Sequence, residues 1–282
     1  MLIDWHTHIW LPEHLGNEFG PGLDARYLAR HGRRLSTAAA PEEHDRRMRE
    51  SGIEHSIVIA LTSRHLGMEI PNDFVAEYVS DDPSRRTGFA SVDPNNPGAV
   101  AELRRAAAVG LRGLKLAPPY QNFHPHSEEA WEVYRAADEL GLVVMFHQGA
   151  VFSPRGVLEV AQGVLLDKVA REFPDLRIIV AHFGQPWSDD VVALMYKHAN
   201  VYADISARLH RPWQLHNILL SAVDYGVQGK VLFGSDFPAL DPAFCLSALR
   251  GLNSETASAL PSIDEAIIEG IVYERPLGLL GL

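Results

Sequence analysis

The chain has 282 residues, with 25 Lys and Arg residues against 36 Asp and Glu residues, which gives a formal net charge of −11. This charge excludes proteins whose main task is to bind nucleic acid or an anionic membrane surface, because both need clustered cations. The single cysteine, Cys245, excludes an internal disulfide framework and a cysteine-based metal cluster. No apolar run approaches the roughly 18 residues that span a bilayer. The sequence therefore predicts a cytoplasmic protein that binds a small molecule.

The predicted elements alternate between short apolar strands and longer amphipathic helices. Eight strands are predicted, at 2–7, 56–61, 88–92, 113–116, 143–147, 178–182, 201–205 and 231–234. Helices between them include 41–51, 97–109, 127–140, 156–173 and 189–198. Several strands are apolar throughout, as strands buried on both faces of a parallel sheet must be.

The spacing of these strands favours a closed barrel over an open doubly wound sheet. Lys115 to His147 is 32 residues, His147 to His182 is 35 and Asp204 to Asp236 is 32, each close to one strand–helix unit. We therefore predict a single-domain (β/α)8 TIM barrel over residues 1–282. The long segment 11–40 is a candidate for a capping insertion over the site, and 261–282 is predicted to form terminal helices packed on the barrel.

Histidines and an aspartate lie at the ends of several predicted strands. His6 and His8 are two residues apart on the first strand, so both imidazoles point to one face. His147, His182 and Asp236 end three further strands. Because the carboxyl ends of barrel strands converge on one face, these five side chains are predicted to share one pocket. Histidines with a carboxylate suit Zn²⁺ or a similar divalent ion.

A second His-x-His pair provides a comparison. His124 and His126 flank a proline and precede Ser127, a predicted helix cap. A single histidine is more often a hydrogen-bonded core or loop residue than a ligand, and this pair is interpreted as a loop. The agreement of several strand ends is what distinguishes the first pair.

The strand-end motifs carry a family resemblance. The segments His6-Thr7-His8, Gly113-Leu114-Lys115-Leu116, Phe146-His147-Gln148-Gly149, Ala181-His182-Phe183-Gly184 and Gly234-Ser235-Asp236-Phe237-Pro238 resemble those of the amidohydrolase superfamily. Within it, the chain is most similar to the amidohydrolase-related branch that includes aminocarboxymuconate-semialdehyde decarboxylase. That branch mixes decarboxylases, hydratases and hydrolases.

The resemblance implies roles for these residues. His6, His8, His147 and Asp236 would be metal ligands, with Asp236 also a candidate acid or base, and His182 would polarise the substrate or move its proton. The implied metal is Zn²⁺, with Mn²⁺ or another divalent ion as alternatives. Lys115 has three open roles, as a carbamylated ligand, as a partner of a substrate carboxylate, or as part of an ion pair near the barrel mouth. A homodimer is expected only by analogy with the family.

Further residues are candidates for substrate contacts. Trp187 and Phe237 would form apolar walls, while Arg155 and Arg208 would receive a carboxylate. A solvated loop charge is an equally good interpretation of each arginine. Asp204 at the end of the seventh strand would hold a ligand histidine in the correct tautomer.

These features predict a metal-dependent hydrolase or carboxy-lyase that acts on a small carboxylated organic acid, aromatic or derived from ring cleavage. A lactonase or amide hydrolase on the same scaffold is the alternative within enzymes. A non-catalytic barrel that binds a ligand is the alternative outside them.

Overall fold

The computed structural model describes residues 1–16, 39–255 and 260–282, together with Ala25 and Ala29. The predicted capping segment 11–40 lies mostly outside the described residues. Ten strands are described: β1 Ile3–Thr7, β2 His55–Ile59, β3 Leu61–Ser63, β4 Met68–Ile70, β5 Arg86–Ser91, β6 Gly113–Leu116, β7 Val143–Phe146, β8 Ile178–Val180, β9 Val201–Asp204 and β10 Val231–Leu232.

Helices follow the strands along the described parts of the chain. They are α1 Pro41–Glu50, α2 Asn72–Ser80, α3 Ala99–Ala108, α4 Pro118–Gln121, α5 Glu128–Glu139, α6 Leu166–Glu172, α7 Ser188–Lys197, α8 Pro212–Asp224, α9 Pro242–Arg250, α10 Leu252–Glu255 and α11 Glu265–Tyr273. Short 3-10 turns occupy Pro12–Leu15, Leu158–Val160, Gly163–Leu165, Ala181–Gly184, Gln228–Lys230 and Leu277–Leu280. None of the described helices is both long and apolar enough to cross a membrane.

Eight of the strands form one parallel sheet in the order β1-β2-β5-β6-β7-β8-β9-β10. The sheet closes between its last and first strands, where Trp5 N donates to Phe233 O (2.9 Å) and His8 N donates to Phe237 O (2.8 Å). The predicted single-domain (β/α)8 barrel is therefore confirmed, and each of the eight predicted strands overlaps an observed one. The core has two layers, one between strands and helices and one inside the barrel around Trp5 and Phe89.

The predicted helix 156–173 is wrong in its first half. Two 3-10 turns occupy this part, and the regular helix begins only at Leu166. The Gln148 side-chain amide donates to Val160 O (2.7 Å) and Gln162 O (2.9 Å), which takes two carbonyls away from helical hydrogen bonding. The antiparallel hairpin β3–β4 was also absent from the prediction, and Leu61, placed in the second strand, begins this hairpin instead.

The end of the chain packs against the barrel interior. Within 261–282, helix α11 is capped by Asp264, whose side chain accepts from Ala266 N. The turn Leu277–Leu280 then brings Leu280 into the interior cluster that contains Ile3 and Trp5. The interior is thus filled by side chains below the strand ends that carry the polar residues.

Candidate active site

The first strand and the loop after the last strand bring together two histidines and an aspartate. Asp236 follows β10 with a left-handed backbone (φ 62°), and its N–H donates to His6 O (2.9 Å). Asp236 Oδ1 then lies 3.6 Å from His6 Nε2 and 3.6 Å from His8 Nε2. Asp4 supports this arrangement, because its Oδ1 accepts from both His6 N (3.1 Å) and Ser235 N (2.9 Å).

His182 completes the cluster from the sixth barrel strand. It has a left-handed backbone (φ 55°), and so does Phe183 (φ 52°), so the chain turns sharply directly after β8. The His182 ring stacks on His6, with centroids 4.8 Å apart and planes inclined by 24°. Among the described residues, His6, His182 and Asp236 form the group whose potential ligand atoms all lie within 4.8 Å of one another.

His147 is close to this group but is oriented differently. Its ring centroid is 4.8 Å from that of His182, whereas its Nε2 lies 3.3 Å from Ala150 O. A carbonyl can only accept, so His147 Nε2 donates its hydrogen in this contact and is not free to bind a metal in this ring orientation. Tyr120, from α4, packs its ring 4.8 Å from His147.

Lys115 lies at the centre of the site, 1% exposed. Its Nζ donates to His6 Nε2 (3.3 Å). Burial lowers the pKa of Lys115 to about 8, against the opposing effect of the negative charges of Asp204 and Asp236. The positive charge of Lys115 at this depth disfavours protonation of the neighbouring histidines His6, His8 and His147.

Burial controls the protonation of the whole cluster. It lowers the pKa of His8 and of His147 to about 3, with the charge of Lys115 as the next cause, and it lowers the pKa of His6 and of His182 well below the usual range. Burial also raises the pKa of Asp236 well above its usual range, although Lys115 opposes this. The histidines are therefore neutral, which is the form in which imidazole binds a metal.

Asp204 and Ser206, at the end of β9 and just beyond it, contact two of these histidines. Asp204 Oδ2 accepts from His6 Nδ1 (2.9 Å), and Ser206 Oγ lies 2.7 Å from His182 Nδ1. Both residues are buried. Asp204 thus occupies the supporting position predicted from the sequence, whereas Ser206 was not singled out.

A cavity of about 90 Å³ opens beside the cluster. Its lining includes His147, Ala150, His182, Gln185, His210 and Arg211. Arg211 brings a guanidinium to the cavity, and its Nε donates to His210 Nε2 (3.1 Å). Arg211 was not among the residues predicted from the sequence to contact the substrate.

The four predicted substrate-contact residues do not line this cavity. Arg155 is exposed and donates to His65 O (2.5 Å), and Phe237 is buried against His44. Trp187 is half-buried just before α7. Arg208 is buried and donates to Ser188 Oγ (3.0 Å).

The loop pair His124 and His126 lies between α4 and α5, where His126 Nε2 donates to Leu165 O (2.8 Å).

Comparison with known proteins identifies the family. The family model described as Amidohydrolase matches residues 3–282. The chain therefore belongs to the amidohydrolase family, and the resemblance predicted from the strand-end motifs is confirmed. No curated protein matches the sequence.

Solved structures share the fold at low sequence identity. An uncharacterised TIM-barrel protein from Bordetella bronchiseptica is 19% identical, with a TM-score of 0.77 over 100% of this chain and 99% of that chain. A probable 2-pyrone-4,6-dicarboxylic acid hydrolase from Acinetobacter baumannii, with citric acid bound, is 16% identical with a TM-score of 0.72, again over 100% and 99%. A dihydroxybenzoic acid decarboxylase from Polaromonas sp. JS666, with manganese and 2-nitroresorcinol bound, is 19% identical with a TM-score of 0.67 over 99% and 96%.

Proposed function

We propose that the chain is a metal-dependent enzyme that hydrolyses or decarboxylates a small carboxylated organic acid. The observation that carries this proposal is the position of Asp236 Oδ1, 3.6 Å from the Nε2 atoms of both His6 and His8. His182 stands beside them, and the cavity lined by Arg211 opens next to His182. The polar cluster and the cavity together supply a reaction centre and an anion contact.

The donor set fits a divalent ion. Two ligands that each lie about 2.1 Å from one Zn²⁺ at a tetrahedral angle are about 3.4 Å apart. The 3.6 Å separations of Asp236 from His6 and His8 are close to that value. Neutral imidazole nitrogens with a carboxylate oxygen suit Zn²⁺, and the manganese in the decarboxylase relative makes Mn²⁺ a second candidate. His6, His8, His182 and Asp236 would hold the ion, with His182 in place of the predicted ligand His147, whose Nε2 contacts Ala150 O.

The residues around a bound ion would then have different roles in the reaction. An ion bound here supplies Lewis acidity toward a substrate oxygen and acidifies coordinated water. Asp236, which lies beside His6 and His8, can accept and return a proton at its carboxylate. Lys115 must give up its hydrogen bond to His6 Nε2 when that atom is a ligand, and its ammonium is then available to a substrate carboxylate.

Two arginines support an anionic substrate. Arg211 lines the cavity. Arg208 is 2% exposed, forms no ion pair within the described part of the chain, and has a buried Nε without an acceptor. Burial and, secondarily, the charge of Arg211 lower the pKa of Arg208 to about 10. A guanidinium that lines the cavity favours the approach of a carboxylate, and the nearby positive charge of Arg208 adds to this effect. Citric acid is bound in one of the solved structures with this fold and 2-nitroresorcinol in another, and both are small polar molecules.

The test begins with metal analysis of protein purified without a histidine tag. We expect about one divalent ion per chain, loss of activity on chelation, and recovery with Zn²⁺ or Mn²⁺. A panel of carboxylated lactones and hydroxybenzoates, assayed for both ring opening and CO2 release, separates hydrolysis from decarboxylation. The proposal would be contradicted if the purified protein held no stoichiometric metal and if His6→Ala and Asp236→Ala kept full activity on a substrate that the enzyme turns over. Cytoplasmic location and a homodimer stay predictions.

A further inference from the structure

One serine hydroxyl connects two histidines of the site. Ser206 Oγ lies 2.7 Å from His182 Nδ1 and 3.1 Å from His6 Nδ1. It also donates a short hydrogen bond to Asp204 Oδ1. His182 follows β8, Asp204 and Ser206 lie at and just beyond the end of the adjacent β9, and His6 lies on β1, which β10 separates from β9 in the closed barrel. Ser206 itself is fully buried.

The hydrogen count at this serine determines the direction of each bond. A hydroxyl has one hydrogen to donate, and a carboxylate oxygen without a hydrogen can only accept. Asp204 Oδ1 also accepts from Ser206 N (3.0 Å) and His182 N (3.0 Å), so it is the acceptor in each of these contacts. The hydroxyl hydrogen of Ser206 therefore points to Asp204, and its lone pairs face the two imidazoles.

Each imidazole must then carry its hydrogen on Nδ1. His182 Nδ1 also lies 3.2 Å from Ser206 O, and His6 Nδ1 lies 2.9 Å from Asp204 Oδ2, and both of these oxygens are acceptors. At the opposite edge, His6 Nε2 accepts from Lys115 Nζ, which requires a lone pair there. The two rings are stacked, with planes inclined by 24°, and both Nδ1 atoms reach the one hydroxyl oxygen.

We propose that Ser206 is a positioning residue that holds His6 and His182 in the same tautomer, with the hydrogen on Nδ1 and the Nε2 lone pair directed into the site. The two histidines depend on it unequally. His6 retains the Asp204 carboxylate if the hydroxyl is lost, whereas His182 retains only the longer contact to a carbonyl. Ser206 thus selects the nitrogen that His182 presents to a ligand, and this consequence rests on the proposed function.

The experiment measures tautomers directly in the metal-free, full-length protein. Long-range proton–nitrogen correlation spectra report which imidazole nitrogen carries hydrogen, and His6→Gln and His182→Gln assign the signals. We expect both rings to carry hydrogen on Nδ1 in the parent protein. Ser206→Ala should shift His182 toward a mixture while His6 stays unchanged, and Ser206→Thr, which keeps a hydroxyl, should restore His182.

Zinc affinity provides a second readout. Loss of a group that orients a metal ligand typically weakens binding by about 10- to 100-fold, and Ser206→Thr should recover most of it. Ser63→Ala, which removes another buried hydroxyl, one that donates to Tyr120 O, controls for the general cost of such a deletion. Hydrogen on Nε2 of His182 in the parent protein, or an unchanged His182 in Ser206→Ala, overturns the inference. Absence of zinc binding in the parent protein would overturn the proposed function and leave the tautomer result standing.

Discussion

Lys115 Nζ lies 3.3 Å from His6 Nε2, so the lysine occupies the hydrogen-bonding position that a metal ligand must leave open. Binding of an ion through His6 Nε2 must displace this contact. A substitution of Lys115 is therefore expected to change the affinity for the metal ion. The direction of that change distinguishes a lysine that is itself a ligand from one that only competes with the ion for His6.

The first prediction is that Lys115→Met tightens Zn²⁺ binding by about tenfold, which corresponds to about 1.4 kcal/mol. Methionine keeps the length and removes the charge that repels a cation. Titration calorimetry on the parent protein and the variant measures the change. A large loss of affinity instead would mean that Lys115 is itself a ligand, as a carbamylated lysine would be, and intact-mass spectrometry would then show the modification.

The second prediction concerns recognition of the substrate. Arg211→Gln should raise KM for an anionic substrate by about 10- to 100-fold and leave kcat nearly unchanged, because a hydrogen bond from a charged donor contributes about 1.5–3 kcal/mol. Steady-state kinetics measure this split. Arg155→Gln is the matched control, since Arg155 is exposed and bonds to His65 O outside the cavity. Equal effects of the two changes would remove Arg211 from the substrate site.

The third prediction is a pH dependence of stability that involves His44. This residue is buried between Tyr78 OH and Thr7 Oγ1, each 2.9 Å away, and burial lowers its pKa to about 3. In the unfolded chain the pKa is about 6.5. The unfolded state therefore binds the additional proton between these values, and stability falls as the pH drops below about 6.5.

His44→Gln tests this contribution, because glutamine keeps polar atoms but does not titrate. Chemical denaturation of both proteins from pH 7 to pH 4 should show a shallower loss of stability in the variant, by up to about 1.4 kcal/mol per pH unit. Parallel pH profiles for the two proteins would contradict the prediction.

The fourth prediction concerns the loop that lines the cavity. Gly149 has φ +152°, and a Cβ there would lie 2.6 Å from Gln185 O, a backbone atom that cannot move aside by rotation. Gly149→Ala should therefore destabilise the protein by about 2–4 kcal/mol, from crowding and backbone strain together. Thermal denaturation measures the loss. Gly229→Ala, where a Cβ meets nothing within 4 Å, should change stability little.

The barrel could be predicted from sequence because its strands carry a strong local signal. Gly113–Leu116 is apolar around Lys115 and bounded by loops, and its limits match those predicted. Gly141, which follows the predicted helix 127–140, has φ 65°, the left-handed conformation that commonly ends a helix. The hairpin Leu61–Ser63 with Met68–Ile70 escaped prediction because strands of three residues show no usable periodicity.

The site was predictable as a set of strand ends but not as a set of ring orientations. The barrel alone requires that His6, His182 and Asp236 converge, and the structure brings these three together. Which nitrogen of His147 faces inward depends on Ala150 O, a contact made by a loop whose path the sequence does not specify. Ser206 follows Asp204 by two residues, so the period of an extended chain could have indicated that both face the site.

His6 and Asp236 also lie on opposite sides of the line where the barrel closes. Asp236 N donates to His6 O there, and Asp4 accepts from both flanks. An ion held by both side chains would act as a clasp between the first and last strands. The free energy of ion binding would then add to the free energy needed to separate the first and last strands. A change that weakens ion binding would therefore also lower the stability of the barrel, so ion affinity and resistance to denaturation would change together.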